Sequence, residues 1–158
     1  MATINQLFGT TNQSITCTIT SLTNTSARQS TVVDNTSNLF MDVRLAVEVK
    51  TNAAGTSATG AVNVFVYGTA DTSTPIYDGG CTGSDAAYTG NKDQLKFVGS
   101  LPTIANSTTY DMSWNLSRVF GTNGIPAKWG IVIDNQSGAT LDASVGKAFY
   151  QGINATVA

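Results

Sequence analysis

The sequence predicts an all-β fold, a two-sheet antiparallel sandwich of the jelly-roll or Greek-key type with about seven to eight strands. Three observations carry this. Only 11% of the residues are charged, and Ser, Thr, Asn and Gly fill the space, which suits pleated strands joined by tight turns. Two stretches alternate apolar and polar side chains with a period of two residues. No segment long enough for a stable helix repeats its apolar residues every 3.6 positions. With 158 residues the chain matches one domain, since domains cluster near about 100 to 150 residues. Seven or eight strands in one domain imply two sheets face to face, because a single sheet would leave an apolar face in water.

Each element follows from its local pattern. Residues 1–12 are polar apart from Ile4, Leu7 and Phe8 and read as an N-terminal arm or an edge segment. The sandwich domain then occupies residues 13–158. Residues 14–22 point Ile15, Cys17 and Ile19 inward, and residues 30–34 make a short further strand. In residues 40–50, Met41, Val43, Leu45, Val47 and Val49 alternate with mostly polar neighbours, the mark of a strand with one buried face. Residues 62–67 follow. Residues 77–90 hold four glycines and almost no aliphatic side chain, and read as an irregular insertion between strands. Residues 94–101 form the next strand. Tyr110, Met112, Trp114 and Leu116 repeat the alternation with a heavier aromatic face. Residues 129–134 and 147–157 complete the set, separated by turn-forming runs such as Asn135-Gln136-Ser137-Gly138.

Charge and composition exclude several function classes. The net charge is −2 and the Lys and Arg residues are scattered from Arg28 to Lys147, so no basic footprint marks a nucleic-acid partner. No apolar run approaches the roughly 20 residues that span a bilayer. The strongest, residues 39–49, is interrupted by Asp42, Arg44 and Glu48. Residues 2–14 lack the basic start and apolar core of a signal peptide, so synthesis in the cytoplasm is expected, and with it free thiols at Cys17 and Cys81. The Asn-x-Ser/Thr sequons, beginning at Asn12 and ending with Asn154, follow from a composition rich in these residues.

The inventory for catalysis is thin. There is no histidine, which removes the commonest general base and the commonest transition-metal ligand. No phosphate-binding loop is present, and Gly121-Thr122-Asn123-Gly124 lacks the strand-to-helix context of a dinucleotide turn. A carboxylate pair remains, drawn from Asp42, Glu48, Asp71, Asp78, Asp85, Asp93, Asp111, Asp134 and Asp142, but no spacing singles out two of them. Asp78, Asp85 and Asp93 could offer oxygens to calcium, yet they do not match a calcium loop and Asp is an ordinary turn residue. The expectation is therefore no catalytic residue, no cofactor site and no metal site. Trp129, between Lys128 and Gly130, is either a sugar-stacking platform or, like Trp114, a core residue between the sheets.

The segment Ile125-Pro126-Ala127-Lys128-Trp129-Gly130-Ile131-Val132-Ile133-Asp134-Asn135-Gln136-Ser137-Gly138-Ala139, followed by Phe149-Tyr150-Gln151-Gly152, resembles small jelly-roll proteins encoded beside the major capsid gene of tailed bacteriophages. The likeness covers the last third of the chain and is compositional before it. It implies a cement or decoration protein on the capsid exterior, bound to the major capsid protein and bridging its subunits. It also implies a homo-oligomer, with trimer and dimer both open. Candidate partner contacts are Leu7 and Phe8 of the arm and Tyr77 and Tyr88 of the Gly-rich insertion, because exposed aromatic and apolar groups anchor interfaces more often than charges do. The rival from another class is a carbohydrate-binding sandwich, lectin-like or at a fibre tip, which needs Trp129, Tyr77 or Tyr88 exposed beside Asp or Asn. An enzyme would need two carboxylates in one cleft at about 5 to 9.5 Å.

Overall fold

The computed structural model describes residues 4–9, 11–69, 71–121 and 124–157. They form two antiparallel sheets packed as a sandwich, with one short α-helix and two single 3-10 turns. In chain order the strands are β1 (Ile4–Phe8), β2 (Gln13–Ile15), β3 (Ala27–Gln29), β4 (Val33–Asp34), β5 (Asp42–Thr51) and β6 (Ala61–Thr69). They continue with β7 (Ala86–Tyr88), β8 (Lys96–Pro102), β9 (Thr109–Asn115), helix α1 (Ser117–Phe120), β10 (Lys128–Gln136) and β11 (Leu141–Val157). One sheet has the order β1-β11-β5-β9, with β2 also on β11. The other has the order β7-β3-β10-β6-β8, with β4 also on β10. Since β1 and β2 share one strand position and β3 and β4 another, the framework without β7 is an eight-strand jelly roll.

The main core lies between the sheets. Val43, Leu45, Val47 and Val49 of β5 meet Val62, Val64 and Val66 of β6 and Trp129, Ile131 and Ile133 of β10. Burying each aliphatic side chain contributes about 1.5 to 3 kcal/mol. Trp129 is the largest fully buried side chain and lies edge-on to Tyr150 of β11, with ring centroids 5.4 Å apart. Among the described residues its indole N–H finds no acceptor. Trp114 sits nearer the margin, half-buried, because β9 is the edge of its sheet.

The chain departs from its sequence-level expectations in three places. Of the expected strand 14–22 only Ser14 and Ile15 join a ladder, as part of β2. Beyond it the Thr18 amide donates to the Asp85 carboxylate (3.1 Å), and Ser21 turns the chain with φ 57°. Of the strand expected at 30–34 only Val33–Asp34 joins a ladder, and at Ser30 the hydroxyl rather than a backbone carbonyl accepts from the Ile131 N–H (3.0 Å). Met41, expected on the inward phase of β5, is 61% exposed, since the strand begins at Asp42.

The Gly-rich insertion is more ordered than its composition suggests. Leaving β6, it crosses the outer face of the second sheet, adds β7 beside β3 and returns to β8. It thereby closes a second core, in which Cys81, Tyr88 and Leu95 cover Tyr67 and Val132. Gly130 is required here, because a Cβ at that position would collide with the Tyr67 ring, whose hydroxyl donates to Ser30 O (2.8 Å).

Candidate interaction surface

Four of the exposed large apolar side chains gather at one end of the sandwich. β11 continues past the start of β5, whose last ladder pair with it is Asp42 with Ile153, so from Asn154 onward β1 is its ladder partner. Leu7 lies opposite Asn154 and Phe8 opposite Ile153 on that side. On the other side the Met41 N–H donates to Ile153 O (3.0 Å), and the Asn154 amide, oriented by its acceptors, donates to Leu39 O (2.9 Å). One short stretch of β11 is thus flanked by Leu7 and Phe8 on one edge and by Leu39 and Met41 on the other. These four are 53%, 50%, 70% and 61% exposed.

Local chemistry holds the loop before β5 in place. Asp34 accepts from the Thr36 amide (2.8 Å), and the Leu39 amide closes a single turn onto Asn35 O (2.9 Å). Asn35 is buried, and its side-chain oxygen accepts from the Phe40 amide (2.8 Å). Phe40 folds inward over Gly152, where a Cβ would strike its ring, and meets Tyr150 edge-on. With Phe40 as anchor, Leu39 and Met41 point to solvent. Leu39 adopts φ 52°, a left-handed conformation that a bulky residue rarely takes and that tends to persist where surrounding contacts impose it. Beside it Leu39, Met41, Ile125 and Ala127 line a depression of about 580 Å³. Residues 35–41 and 4–9 include no ionisable side chain, so the exposed apolar groups sit among uncharged Asn, Gln, Ser and Thr side chains.

Two of the sequence-predicted contacts, Leu7 and Phe8, lie at this end of the sandwich, on opposite faces of β1; the other two do not. Tyr88 is only 6% exposed, and its hydroxyl reaches Gly79 O (2.8 Å) and Asn91 O (3.0 Å) inside the second core. Tyr77 is half-buried, edge-on to Tyr67 at 5.5 Å. Neither is the freely exposed ring that was expected, because the sheet face beneath them takes Tyr88 fully and Tyr77 in part. Leu39 and Met41 were missed because Met41 fits the alternation of β5. The run Asn35-Thr36-Ser37-Asn38 ahead of them marks a turn but not where after it the strand begins. The remaining exposed apolar residues, Ile76, Phe97, Ile104 and Met112, are spread over other elements.

The groups considered for chemistry are dispersed. Trp129 is buried, so with Tyr77 and Tyr88 it forms no open stacking platform. Asp78 accepts from the Gly68 amide (3.1 Å), and Asp85 pairs with Arg28 (2.6 Å). Among the described residues no cluster of three His, Cys, Asp or Glu side chains is placed to hold a metal. Both cysteines are free thiols. Burial, with the Asp85 charge adding to it, pushes the Cys17 thiol up to about 12. Burial, with Asp78 adding, does the same at Cys81, so neither is poised as a thiolate.

A second depression, of about 440 Å³, crosses the outer face of the first sheet among Arg44, Glu48, Asp111, Phe149 and Gln151. Strand register sets Glu48 directly opposite Asp111, a juxtaposition invisible in their spacing along the chain. Glu48 is 3.7 Å from Lys147, Asp111 is exposed, and Arg44 donates to Ser113 Oγ (3.0 Å). This is the pattern of a solvated sheet face, on which Glu48 and Arg44 have partners and Asp111 meets water. No protein-family model matches the chain, and no curated protein matches it.

Proposed function

We propose that this chain is a structural virion protein, a cement or decoration protein that binds the outer surface of an icosahedral phage head and stabilises it by bridging subunits of the major capsid protein. The observation that carries this reading is the gathering of four exposed apolar side chains at one end of a jelly roll, Leu7 and Phe8 on opposite faces of β1 and Leu39 and Met41 across β11, in a loop held by Asn35 and Phe40. Large apolar groups exposed to water are suited to docking, because their desolvation is favourable. A patch of this size binds weakly alone. Repetition over a symmetric lattice supplies avidity without a large single interface. The resemblance of residues 125–139 and 149–152 to phage decoration proteins points the same way.

The test is co-sedimentation of the purified chain with capsids lacking it, beside a Leu39→Asp/Met41→Asp variant and a glycan array. Saturable binding that the double variant abolishes, with its circular dichroism and thermal unfolding unchanged, supports the reading. Failure to bind capsids, or equal binding by the variant, removes it. A defined glycan in place of capsid binding would make the chain a carbohydrate-binding module.

A further inference from the structure

β1 pairs with β11 on one side, and among the described residues its other edge pairs with nothing. Gly9 N donates to Gly152 O (2.9 Å), and antiparallel ladders alternate, so Leu7 and Asn5 turn their backbone groups toward β11. Ile4, Gln6 and Phe8 turn theirs outward, and among the described residues no strand pairs with them. Exposed edges are normally blunted by charge, proline, bulges or extreme shortness. The other edges follow this rule. β7 has three residues, β8 bears Lys96 and Pro102 beside a register shift, and β9 bears Asp111. The sequence of β1, Ile4-Asn5-Gln6-Leu7-Phe8, has none of these devices.

The ribbon that β1 makes with the end of β11 is also under-supported. Asn5, Gln6, Leu7 and Phe8 are all exposed, as are Ala155 and Thr156 opposite, so both faces of the ribbon meet water. Two strands with no covered face are marginal on their own, and three or more are normally needed.

We infer that β1 pairs antiparallel with the β1 of a second copy of this chain, about a twofold axis at Gln6. In that register Gln6 faces Gln6 of the other copy and Phe8 faces its Ile4. Every outward backbone group of both strands is then satisfied, and with no charge on either strand nothing opposes the approach. The two sheets become one continuous sheet across the axis. The apolar patches of the two copies, which share β1, then act as one bivalent unit. The inference goes beyond capsid attachment and does not require it.

The test uses the full chain without capsids. Sedimentation equilibrium should give a concentration-dependent dimer, and hydrogen exchange should find the Gln6 and Phe8 amides protected in the dimer and fast on dilution. Gln6→Pro removes the central outward N–H, which proline on an edge can lack without harm to the monomer. It should weaken dimerisation more than about tenfold with the thermal transition preserved. A monomer at high micromolar concentration overturns the inference. So does a dimer whose Gln6 and Phe8 amides exchange freely, or one that survives Gln6→Pro. If Gln6→Pro perturbs folding, the wild-type exchange measurement decides alone. A chain that dimerises this way but ignores capsids removes the capsid reading and leaves this one standing.

Discussion

The two outer faces of the sandwich are built from similar strands and meet different fates. On the first sheet β5 alternates strictly: Val43, Leu45, Val47 and Val49 are buried, and Arg44, Ala46, Glu48 and Lys50 face outward. On the second sheet every residue of β10 from Trp129 to Asn135 is buried, because the segment between β6 and β8 lies over its outer face. The contrast teaches that a strand with apolar residues in both phases demands a cover, and that the cover need not look apolar. Here it supplies Tyr77, Cys81, Tyr88 and Leu95 from a stretch dominated by Gly, Asp, Ser and Thr. An ion pair fastens it: Lys92 of the cover reaches Asp134 of β10 at 2.7 Å, and Asp134 is buried.

The sharpest test of this contrast compares the inner core with the covered face. Trp129→Ala empties the largest fully buried site and should cost about 3 to 5 kcal/mol, read as a lower urea midpoint for the whole domain. Tyr88→Ala removes the ring of the cover together with its hydrogen bonds to Gly79 and Asn91, and should cost about 2 to 3 kcal/mol. Hydrogen exchange should then accelerate first in residues 77–95 and in β3, while β5 and β11 keep their protection. Uniform acceleration across both sheets would mean that the cover and the sandwich unfold as one unit, and the distinction between the faces would fail.

Much of this architecture was legible from side-chain period. The alternation in β5 gave a one-sided strand, in the edge strand β9 it left Tyr110 and Trp114 half-buried and Met112 exposed, and the unbroken apolar run Ile131-Val132-Ile133 is the signature of a strand buried on both faces. The identity of the cover was not legible, because its burial depends on a few separated aromatic residues that carry no period. Leu7 and Phe8 were recognisable as exposed apolar residues ahead of the domain. Leu39 and Met41 were not, because their exposure is set by a turn that Asn35 closes through long-range packing of Phe40 on Gly152. The pairing of Glu48 with Asp111 arises from strand register, which no local spacing encodes.

A smaller effect tests how the cover is tied to the rest. Burial pushes the Asp85 carboxyl up, but hydrogen bonds from Arg28 and Thr18 outweigh it and hold its pKa below the ordinary 3.8. A carboxyl depressed in the folded state contributes stability that is fully present above its unfolded pKa and is lost as pH falls through the folded value. Asp85→Asn should therefore cost about 1 to 2 kcal/mol at neutral pH. The difference from wild type should shrink as pH falls below about 4. Urea midpoints measured across that range check it, and a gap that persists in acid would place the effect in packing rather than charge.

The smallest expected effect belongs to the uncovered face, and its sign is what matters. Glu48 and Asp111 oppose one another across β5 and β9, and like charges directly opposite are destabilising. Asp111→Lys turns that pair into an attractive one on a strand edge already open to solvent, so it should stabilise the domain by about 0.2 to 1 kcal/mol. Added salt should erase the gain, because both partners are accessible to ions. The reciprocal change on the covered face, Val132→Lys, introduces a charge beneath Tyr88 and Cys81, where neither water nor a free carboxylate receives it, and should strip the cover away. Thermal unfolding of the two variants measures the difference directly. A loss from Asp111→Lys would mean that the first sheet's outer face is packed against something too, and the two faces would then differ only in what covers them.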